Sequence, residues 1–286
     1  MKRRLLAVVL SAALSCTVAQ AQNAPGPTVF DTTSYGLDGP ATQGGLLIGK
    51  AKPNSHVRVN GQHVPVASNG TFLIGFARDY DKTWVEVSVQ SSDRSNTETR
   101  SFSVFPRAYD IQRINGLPDE SVNPPPEDLK KIQFEQRLIR EARAQRRDAT
   151  DFDAGFIWPV EGTITGVYGS QRILNGQPRA PHLGVDIAAG RGTTIRAASD
   201  GIVSLAHENL FFNGNTVIID HGLGLNTVYI HLDKIAVRQG QRVAKGQTIG
   251  TVGVTGRATG ANLHWGANLG DLGIDPQLLV GPMMQR

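Results

Sequence analysis

Cysteine is almost absent from this sequence, which contains one, Cys16, among 286 residues. One thiol cannot form a disulfide within the chain, and it cannot supply the several thiolates of a structural metal site. If residues 1–21 are removed as a signal peptide, Cys16 leaves with them and no cysteine nucleophile remains. A metal site in the mature protein would then have to use imidazole and carboxylate ligands.

Long hydrophobic runs are also missing. The apolar residues 5–14 are too few for the roughly 20 that a helix needs to cross a bilayer. They follow the basic residues 2–4 and precede the small-x-small sequence at residues 19–21, which is the order of a signal peptide. We therefore predict a signal peptide at residues 1–21, export, and no stable membrane span. Lipid anchoring through Cys16 or release from the cell is the alternative.

The chain also lacks a strong excess of either charge. It has 29 Lys and Arg against 25 Asp and Glu, a formal net charge of +4. Loss of Lys2, Arg3 and Arg4 with the signal peptide would leave about +1. Basic and aromatic residues do not interleave as they do in proteins that bind nucleic acids. The sequence therefore predicts no nucleic-acid partner.

The N-terminal half reads as short strands separated by turn residues. Residues 56–61 alternate and end in Asn60-Gly61, which tolerate positive φ and favour a hairpin. Val85, Val87 and Val89 would line one face of a later strand. This pattern predicts an immunoglobulin-like β-sandwich over residues 24–107, in which any histidine is an exposed strand or turn residue.

Residues 108–154 are predicted to connect two domains. Residues 111–126 read as a linker that ends in three prolines, which stiffen the chain and stop any strand. Residues 127–148 predict a helix. Its narrow apolar face consists of Leu129, Ile132, Ile139 and Ala142. Such a helix would dock on or space the two domains, and a regulatory protein partner or a membrane surface is the alternative.

The C-terminal part, from Gly155, is rich in glycine and carries no helical periodicity. Its predicted strands are residues 194–198, 201–206, 216–220, 226–232, 248–252 and 263–269. We predict an antiparallel β-sheet domain with a groove over residues 155–286, so that the whole chain is mostly β.

Histidines in this β region are the candidates for chemistry. His182, Asp186 and His264 lie on separate β segments. Two imidazoles and a carboxylate are the donor set of a catalytic zinc site that leaves one position for water. A single histidine is more often a hydrogen-bonded residue without further role, and His207 and His221 fit that interpretation.

Five sequence blocks follow one another in this region. They are Pro-His-Leu-Gly-Val-Asp at residues 181–186, Asp-His-Gly-Leu-Gly at 220–224, Tyr-Ile-His-Leu at 229–232, and the glycine-containing segments 240–250 and 255–260. In this order they resemble the lysostaphin-type (LytM-like) zinc metallopeptidases, which cut peptide bonds in peptidoglycan. The resemblance covers roughly residues 156–276. Five blocks in order are far more specific than any one of them.

The resemblance implies roles for individual residues. His182, Asp186 and His264 would hold one Zn²⁺. His231 would orient the attacking water, take its proton or stabilise the oxyanion. Because side chains two apart on a strand share a face, Tyr229 and His231 are expected to point together.

Asn262 departs from the family pattern. The family has a histidine there, giving His-x-His, and the alternation of a strand puts residue 262 on the face of His264. Asparagine can form hydrogen bonds and could orient water, but it cannot carry a proton at neutral pH. Together with His231, Asn262 is the predicted catalytic pair.

The favoured hypothesis is an exported zinc metalloendopeptidase that hydrolyses peptide bonds in peptidoglycan, in the periplasm by resemblance to exported proteins of this layout. The alternative follows from Asn262. It is a catalytically weakened LytM-like module that binds peptidoglycan or activates another wall hydrolase. Retention of all three predicted metal ligands favours the enzyme.

Overall fold

The structure, a computed structural model, describes residues 30–31, 34–115 and 128–283. The predicted signal peptide, Cys16 and the three prolines that end the predicted linker lie outside these residues. Within them, no helix is long and apolar enough to cross a membrane. The described part of the chain is mostly β with one α-helix, as predicted.

The strands, in chain order, are β1 (Phe30–Asp31), β2 (Tyr35–Asp38), β3 (Leu46–Ala51), β4 (His56–Val59), β5 (Gln62–Val64), β6 (Thr71–Gly75), β7 (Trp84–Gln90), β8 (Thr97–Ser103), β9 (Ile111–Ile114), β10 (Thr163–Gly166), β11 (Gln171–Leu174), β12 (Gln177–Pro178), β13 (Val185–Ala188), β14 (Thr194–Arg196), β15 (Gly201–Leu210), β16 (Gly214–Gly222), β17 (Leu225–Ile235), β18 (Arg242–Val243), β19 (Thr248–Val252), β20 (Asn262–Leu269) and β21 (Leu272–Ile274). The helix α1 is Leu129–Arg143, and single 3-10 turns occur at Asp151–Ala154 and Pro276–Leu279.

The N-terminal half is a β-sandwich. Its two four-stranded sheets have the orders β1-β2-β3-β6 and β5-β4-β7-β8. Phe72 from one sheet and Val85 and Val87 from the other are fully buried between them. The predicted hairpin turn is confirmed, because Asn60 and Gly61 join β4 to β5 with φ of 48° and 79°. The predicted apolar alternation therefore forms the core of this half.

A ten-stranded sheet forms the C-terminal half, with the main order β10-β13-β20-β17-β16-β15-β18. Each strand predicted for this half coincides with one of β14 to β17, β19 and β20, with shifted ends. One face buries an apolar core that includes Tyr229 and Trp265. The other face receives α1, where Ala142 packs with Ile218 and Val228. This second face also carries the candidate site.

The connecting segment differs from its prediction in two places. Residues 111–114, predicted as linker, form β9, which pairs in parallel with β11 of the C-terminal half. The helix ends at Arg143 rather than at residue 148. Beyond it, Arg147 turns inward and its guanidinium donates to Asp220 (2.5 Å) and Asp151 (2.7 Å). These partly buried ion pairs hold the chain in a non-helical path.

The sandwich docks directly on the C-terminal sheet. Leu46 and Leu73 of the sandwich share an apolar cluster with Leu225 and Ile274. At the edge of this contact Arg107 forms an ion pair with the buried Asp275 at 2.8 Å. Burial of apolar area together with a paired charge fixes the relative position of the two halves more firmly than a flexible linker would.

His221, predicted to be structural, is fully buried in β16. A carbonyl can only accept, so its Nδ1–H donates to the Asp200 carbonyl oxygen (2.6 Å) and its Nε2 accepts from the Thr227 hydroxyl (2.8 Å). The neutral ring is thus satisfied on both sides. Burial lowers the pKa of His221 from 6.5 to about 4.

We expect the stability of the fold to decrease as the pH falls from 6.5 towards 4. In this window the unfolded chain protonates His221 and the folded chain does not, so protons favour unfolding. The full loss is roughly 3 kcal/mol. Thermal melts followed by circular dichroism, with a chelator present, measure it. His221→Gln should melt lower at pH 7 but with a shallower pH dependence, and equal slopes for the two proteins would contradict the assignment.

Candidate metal centre

Strand pairing brings two of the predicted ligands together. Asp186 on β13 lies directly opposite His264 on β20. Their neighbours Val185 and Leu263 point into the apolar core, so Asp186 and His264 occupy the opposite face. His182 precedes β13, and its backbone N–H and C=O bond to Ser170 and Gly169 at 2.8 and 2.7 Å. The third ligand is therefore fixed by a loop rather than by a strand.

Three electron-rich atoms converge at this point. His182 Nε2 lies 3.0 Å from Asp186 Oδ1 and 2.8 Å from His264 Nδ1, and the last two atoms are also 2.8 Å apart. A tetrahedral ion with ligand bonds of about 2.0–2.2 Å needs ligand atoms roughly 3.3 Å apart, which is close to this triangle. The three side chains are thus arranged as a group that could hold a metal ion.

The tautomer of His182 also fits a metal ligand. Its Nδ1 lies 3.0 Å from the Val167 carbonyl oxygen, which can only accept, so Nδ1 carries the proton. Nε2 is therefore the atom that would bind a metal ion, and it lies within hydrogen-bond distance of Asp186 Oδ1 and His264 Nδ1. Ligating histidines commonly hold their other ring nitrogen in this way, since the second bond fixes the orientation of the ring.

The charges in the cluster favour a cation. Burial opposes ionisation of Asp186, but hydrogen bonds from His182 and His264 outweigh it and hold the pKa of Asp186 well below its usual range. Burial alone would lower the pKa of His182, but the neighbouring carboxylate of Asp186 outweighs burial and raises it. Burial lowers the pKa of His264. The centre therefore presents one ionised carboxylate and a deeply placed neutral imidazole.

Two glycines make room for the cluster. A Cβ on Gly166 would lie 2.4 Å from Asp186 Oδ2, and one on Gly184 would lie 2.6 Å from His264 Nε2. Neither glycine needs a positive φ, so the requirement is for space and not for backbone conformation. Glycine at both positions therefore leaves the space that the side chains of Asp186 and His264 occupy.

His231 reaches the same face by a bulge. In β17, Tyr229 and Leu232 both enter the core, although strict alternation would place residue 231 on the face of Tyr229. His231 is the extra residue, with a φ of 67°. The prediction that Tyr229 and His231 point together is therefore wrong. Tyr229 pairs with Trp265, and Ile230 lies opposite His264.

The protonation of His231 follows from its contacts. Its Nδ1–H donates to the Thr255 carbonyl oxygen at 2.8 Å, and its backbone N–H donates to the Asn213 carbonyl oxygen at 2.9 Å. Burial lowers the pKa of His231, with Thr255 and the charge of Asp186 opposing this only in part. The ring is neutral at pH 7, and no described residue forms a hydrogen bond with Nε2, which can therefore accept a proton.

Asn262 begins β20, two residues before His264, opposite Ala188 of β13. The regular pairing of these strands agrees with the predicted shared face of Asn262 and His264. Its side-chain Oδ1 is buried without a hydrogen-bond partner among the described residues. A buried, unpartnered carbonyl oxygen is costly, and a bound water or a substrate N–H would satisfy it.

A groove of about 790 Å³ passes the cluster and includes His182 and Asp186 in its lining. Its walls include residues of β10, of the β11–β12 hairpin and of the β15–β16 loop, where Phe212 contributes. The two loops predicted to line a groove, residues 172–180 and 209–215, both do so. Asp110 and Gln112, at β9, form another wall. The predicted linker is therefore part of the groove.

Local sequence patterns do not indicate directly how the β15–β16 loop is held. Glu135 of α1 is buried, and its carboxylate accepts from the backbone N–H of Phe211 at 2.8 Å. This loop also supplies the carbonyl of Asn213 that bonds to His231. One feature of the sequence does indicate this contact. Glu135 lies between Ile132 and Ile139 on the apolar face of α1, where a charged residue needs a specific partner.

The chain is similar to a peptidase family, to named peptidoglycan enzymes and to a solved structure. Residues 180–276 match peptidase family M23. Two proteins of Vibrio cholerae named peptidoglycan DD-endopeptidase are similar to the chain. ShyC is 43% identical over 152 residues, which is 53% of this chain and 31% of ShyC. ShyA is 46% identical over 86 residues, which is 30% of this chain and 20% of ShyA. The chain thus matches a third or less of the length of these relatives.

A solved structure is similar over nearly the whole chain. It is a crystal structure of a Pseudomonas aeruginosa protein assigned to peptidase M23, with 27% identity and a TM-score of 0.63. The alignment covers 86% of this chain and 96% of the other. The likeness therefore includes the N-terminal sandwich as well as the C-terminal sheet.

We expect Gly184→Ala to weaken binding of a divalent ion by the cluster about 10-fold to 100-fold, the range typical of changes just outside the ligands. The added Cβ would meet His264 Nε2 and the Trp265 carbonyl oxygen, both at 2.6 Å. Titration calorimetry with Zn²⁺ on chelator-treated protein measures the effect. Gly190→Ala is the matched control, because its Cβ would meet only Thr193 Oγ1 at 3.6 Å. Equal affinities for the two variants would contradict this account.

Proposed function

We propose that the protein is a zinc metalloendopeptidase that hydrolyses peptide bonds in peptidoglycan, because residues 180–276 match peptidase family M23. The observation that carries the proposal is the convergence of His182 Nε2, Asp186 Oδ1 and His264 Nδ1 within 3.0 Å beside a groove. The activity named for ShyC and ShyA supports peptidoglycan as the substrate.

In this proposal His182, Asp186 and His264 hold one Zn²⁺. Bound in such a site, zinc polarises a carbonyl and lowers the pKa of a bound water to about 7. The protein contributes the rest. The groove orients the peptide, and the contact of His182 Nδ1 with the Val167 carbonyl keeps Nε2 aimed at the centre.

His231 is the proposed proton acceptor. Its Nδ1–H is engaged with the Thr255 carbonyl, which leaves Nε2 unprotonated in the neutral ring. Its lowered pKa keeps this form populated at neutral pH. The bulge of β17 presents the ring on the face of the metal ligands, so it can take a proton from the attacking water and return it to the leaving amine.

Asn262 is proposed to orient water or the substrate through its amide. Its unpartnered Oδ1 supports this role, because a donor in the groove would satisfy it. The same residue motivates the second candidate function, a weakened module that binds peptidoglycan or activates another wall hydrolase, since asparagine cannot exchange a proton at neutral pH. Retention of the three ligands favours the enzyme.

We further propose that the protein works outside the cytoplasm, in the periplasm. This rests on the basic, apolar and small-x-small order of residues 1–21 and on the peptidoglycan activity named for the relatives. N-terminal sequencing of the protein recovered from the periplasm tests it, since a chain that still begins at Met1 after export from the cytoplasm would contradict cleavage after Ala21.

We expect the zinc-loaded protein to release peptides from purified peptidoglycan, measured by chromatography with bound zinc quantified in the same samples. His264→Ala should lose both the bound zinc and the release of peptides. His231→Ala should keep zinc and lose about 100-fold to 10,000-fold in rate, as expected when a general base is removed. His63→Ala, on the exposed β5 of the sandwich, is the control. Release by His264→Ala equal to that of the unchanged protein would refute the ligand assignment.

Asn262→His separates the two candidate functions. If the protein is an enzyme, the unchanged chain releases peptides and the variant changes only the rate, upward if a second proton-carrying group is useful. If the unchanged chain binds zinc and releases nothing while Asn262→His releases peptides, Asn262 has silenced a formed site and the weakened module is correct. The same chromatographic assay decides between them.

A further inference from the structure

Two arginines face each other across the β11–β12 hairpin at the edge of the groove. The register pairs Ile173 with Pro178, so the next pair outward is Arg172 with Arg179. The backbone N–H of Arg179 donates to the carbonyl oxygen of Arg172 at 2.9 Å, which holds the two residues opposite each other. Both residues line the groove.

This pair is unfavourable in the protein alone. Like charges directly opposite on antiparallel strands destabilise a hairpin. Among the residues that the structure describes, no Asp or Glu forms an ion pair with Arg172 or Arg179. Arg179 donates from Nη2 to Gln177 at 3.3 Å, while its Nε is buried without a partner. Within the described residues, the hairpin therefore holds two guanidinium groups that no carboxylate pairs with.

The pair lies on the same groove as the metal ligands. Arg172, Arg179, His182 and Asp186 all contribute to its lining. Among the smaller influences on the pKa of His182 is the positive charge of Arg172, so the guanidinium lies near the imidazole. Asp110 lines the groove too, and its carboxylate accepts from the Gln112 side chain at 3.2 Å and forms no ion pair with either arginine among the described residues. An anion in the groove would thus lie in a space whose lining includes both arginines and two of the proposed metal ligands.

We infer that Arg172 and Arg179 form a subsite that binds a free carboxylate of the peptide substrate close to the scissile amide, an inference that rests on the proposed peptidase function. Guanidinium groups bind carboxylates through two parallel hydrogen bonds, which fixes the orientation as well as the position of the ligand. The carboxylate would relieve the repulsion across the hairpin and satisfy Arg179 Nε. The subsite selects peptides that carry this group over peptides in which it is amidated.

Binding tests the subsite apart from catalysis. The full chain carrying His231→Ala is titrated with two fluorescent cross-linked peptides, one with a free carboxylate next to the amide to be cut and one with a carboxamide there. Fluorescence anisotropy gives each dissociation constant. We expect the carboxylate peptide to bind about tenfold more tightly or better. Arg172→Gln or Arg179→Gln should remove this preference and leave binding of the carboxamide peptide unchanged.

Arg238→Gln is the matched control, because Arg238 is exposed, lies outside the lining of the groove and has no side-chain ion pair among the described residues. It should keep the full preference. Misfolding is checked by thermal melts, in which Arg172→Gln should melt no lower than the parent since it removes a like-charge pair. Equal binding of the two peptides by the parent, or a preference that survives both glutamine variants, overturns the subsite.

The proposed function fails by a different result. If the protein with His231 intact and zinc bound cuts neither peptide, while the His231→Ala chain still binds the carboxylate peptide more tightly, the peptidase proposal is refuted and the subsite stands. If the protein cuts both peptides at equal rates and binds them equally, the peptidase proposal stands and the subsite is refuted.

Discussion

The cross-strand pairing of Asp186 with His264 is the constraint on which the candidate centre depends. An ionised carboxylate away from bulk water is costly unless charge and hydrogen bonds compensate it. The antiparallel register of β13 and β20 places an imidazole directly opposite, and the loop before β13 adds His182. The glycines at 166 and 184 leave the space that these side chains need. A shift of one residue in this register would send the ligands into the apolar core.

The N-terminal half has a direct structural part in the site. Its sandwich is fixed to the C-terminal sheet by a shared apolar cluster and by the buried pair of Arg107 and Asp275. The chain then runs through β9, which pairs with β11 and so forms a wall of the groove beside the hairpin. The groove is thus built from both halves of the chain. The shape of the groove therefore depends on the docking of the sandwich as well as on the loops beside the clustered residues.

His231 and Asn262 reach the site face in different ways. Asn262 follows regular alternation two residues before His264, whereas His231 depends on a bulge with a φ of 67° that breaks the alternation of β17. This strained residue is held by the hydrogen bonds that it donates to the Asn213 and Thr255 carbonyls, and Glu135 of α1 in turn braces the loop that carries Asn213. Strain that is held by several independent contacts is characteristic of functional positions.

The sequence by itself determined the class of fold, β4 and β7 of the sandwich, β14 to β17, β19 and β20 of the C-terminal sheet, the hairpin at Asn60-Gly61 and the identity of the clustered residues His182, Asp186 and His264. These follow from local patterns, namely alternation, turn residues and ordered motifs, which are physically encoded over a few neighbouring residues.

Only the tertiary structure decided that residues 111–114 form a groove wall, that α1 stops at Arg143, that Tyr229 enters the core while His231 turns away, and that Arg172 faces Arg179. Each of these depends on partners distant in sequence: β9 needs β11, Arg147 needs Asp220, and the bulge needs the carbonyls of other loops. Local periodicity does not identify such partners. The interaction between two distant segments contributes free energy only after folding has brought the segments into contact.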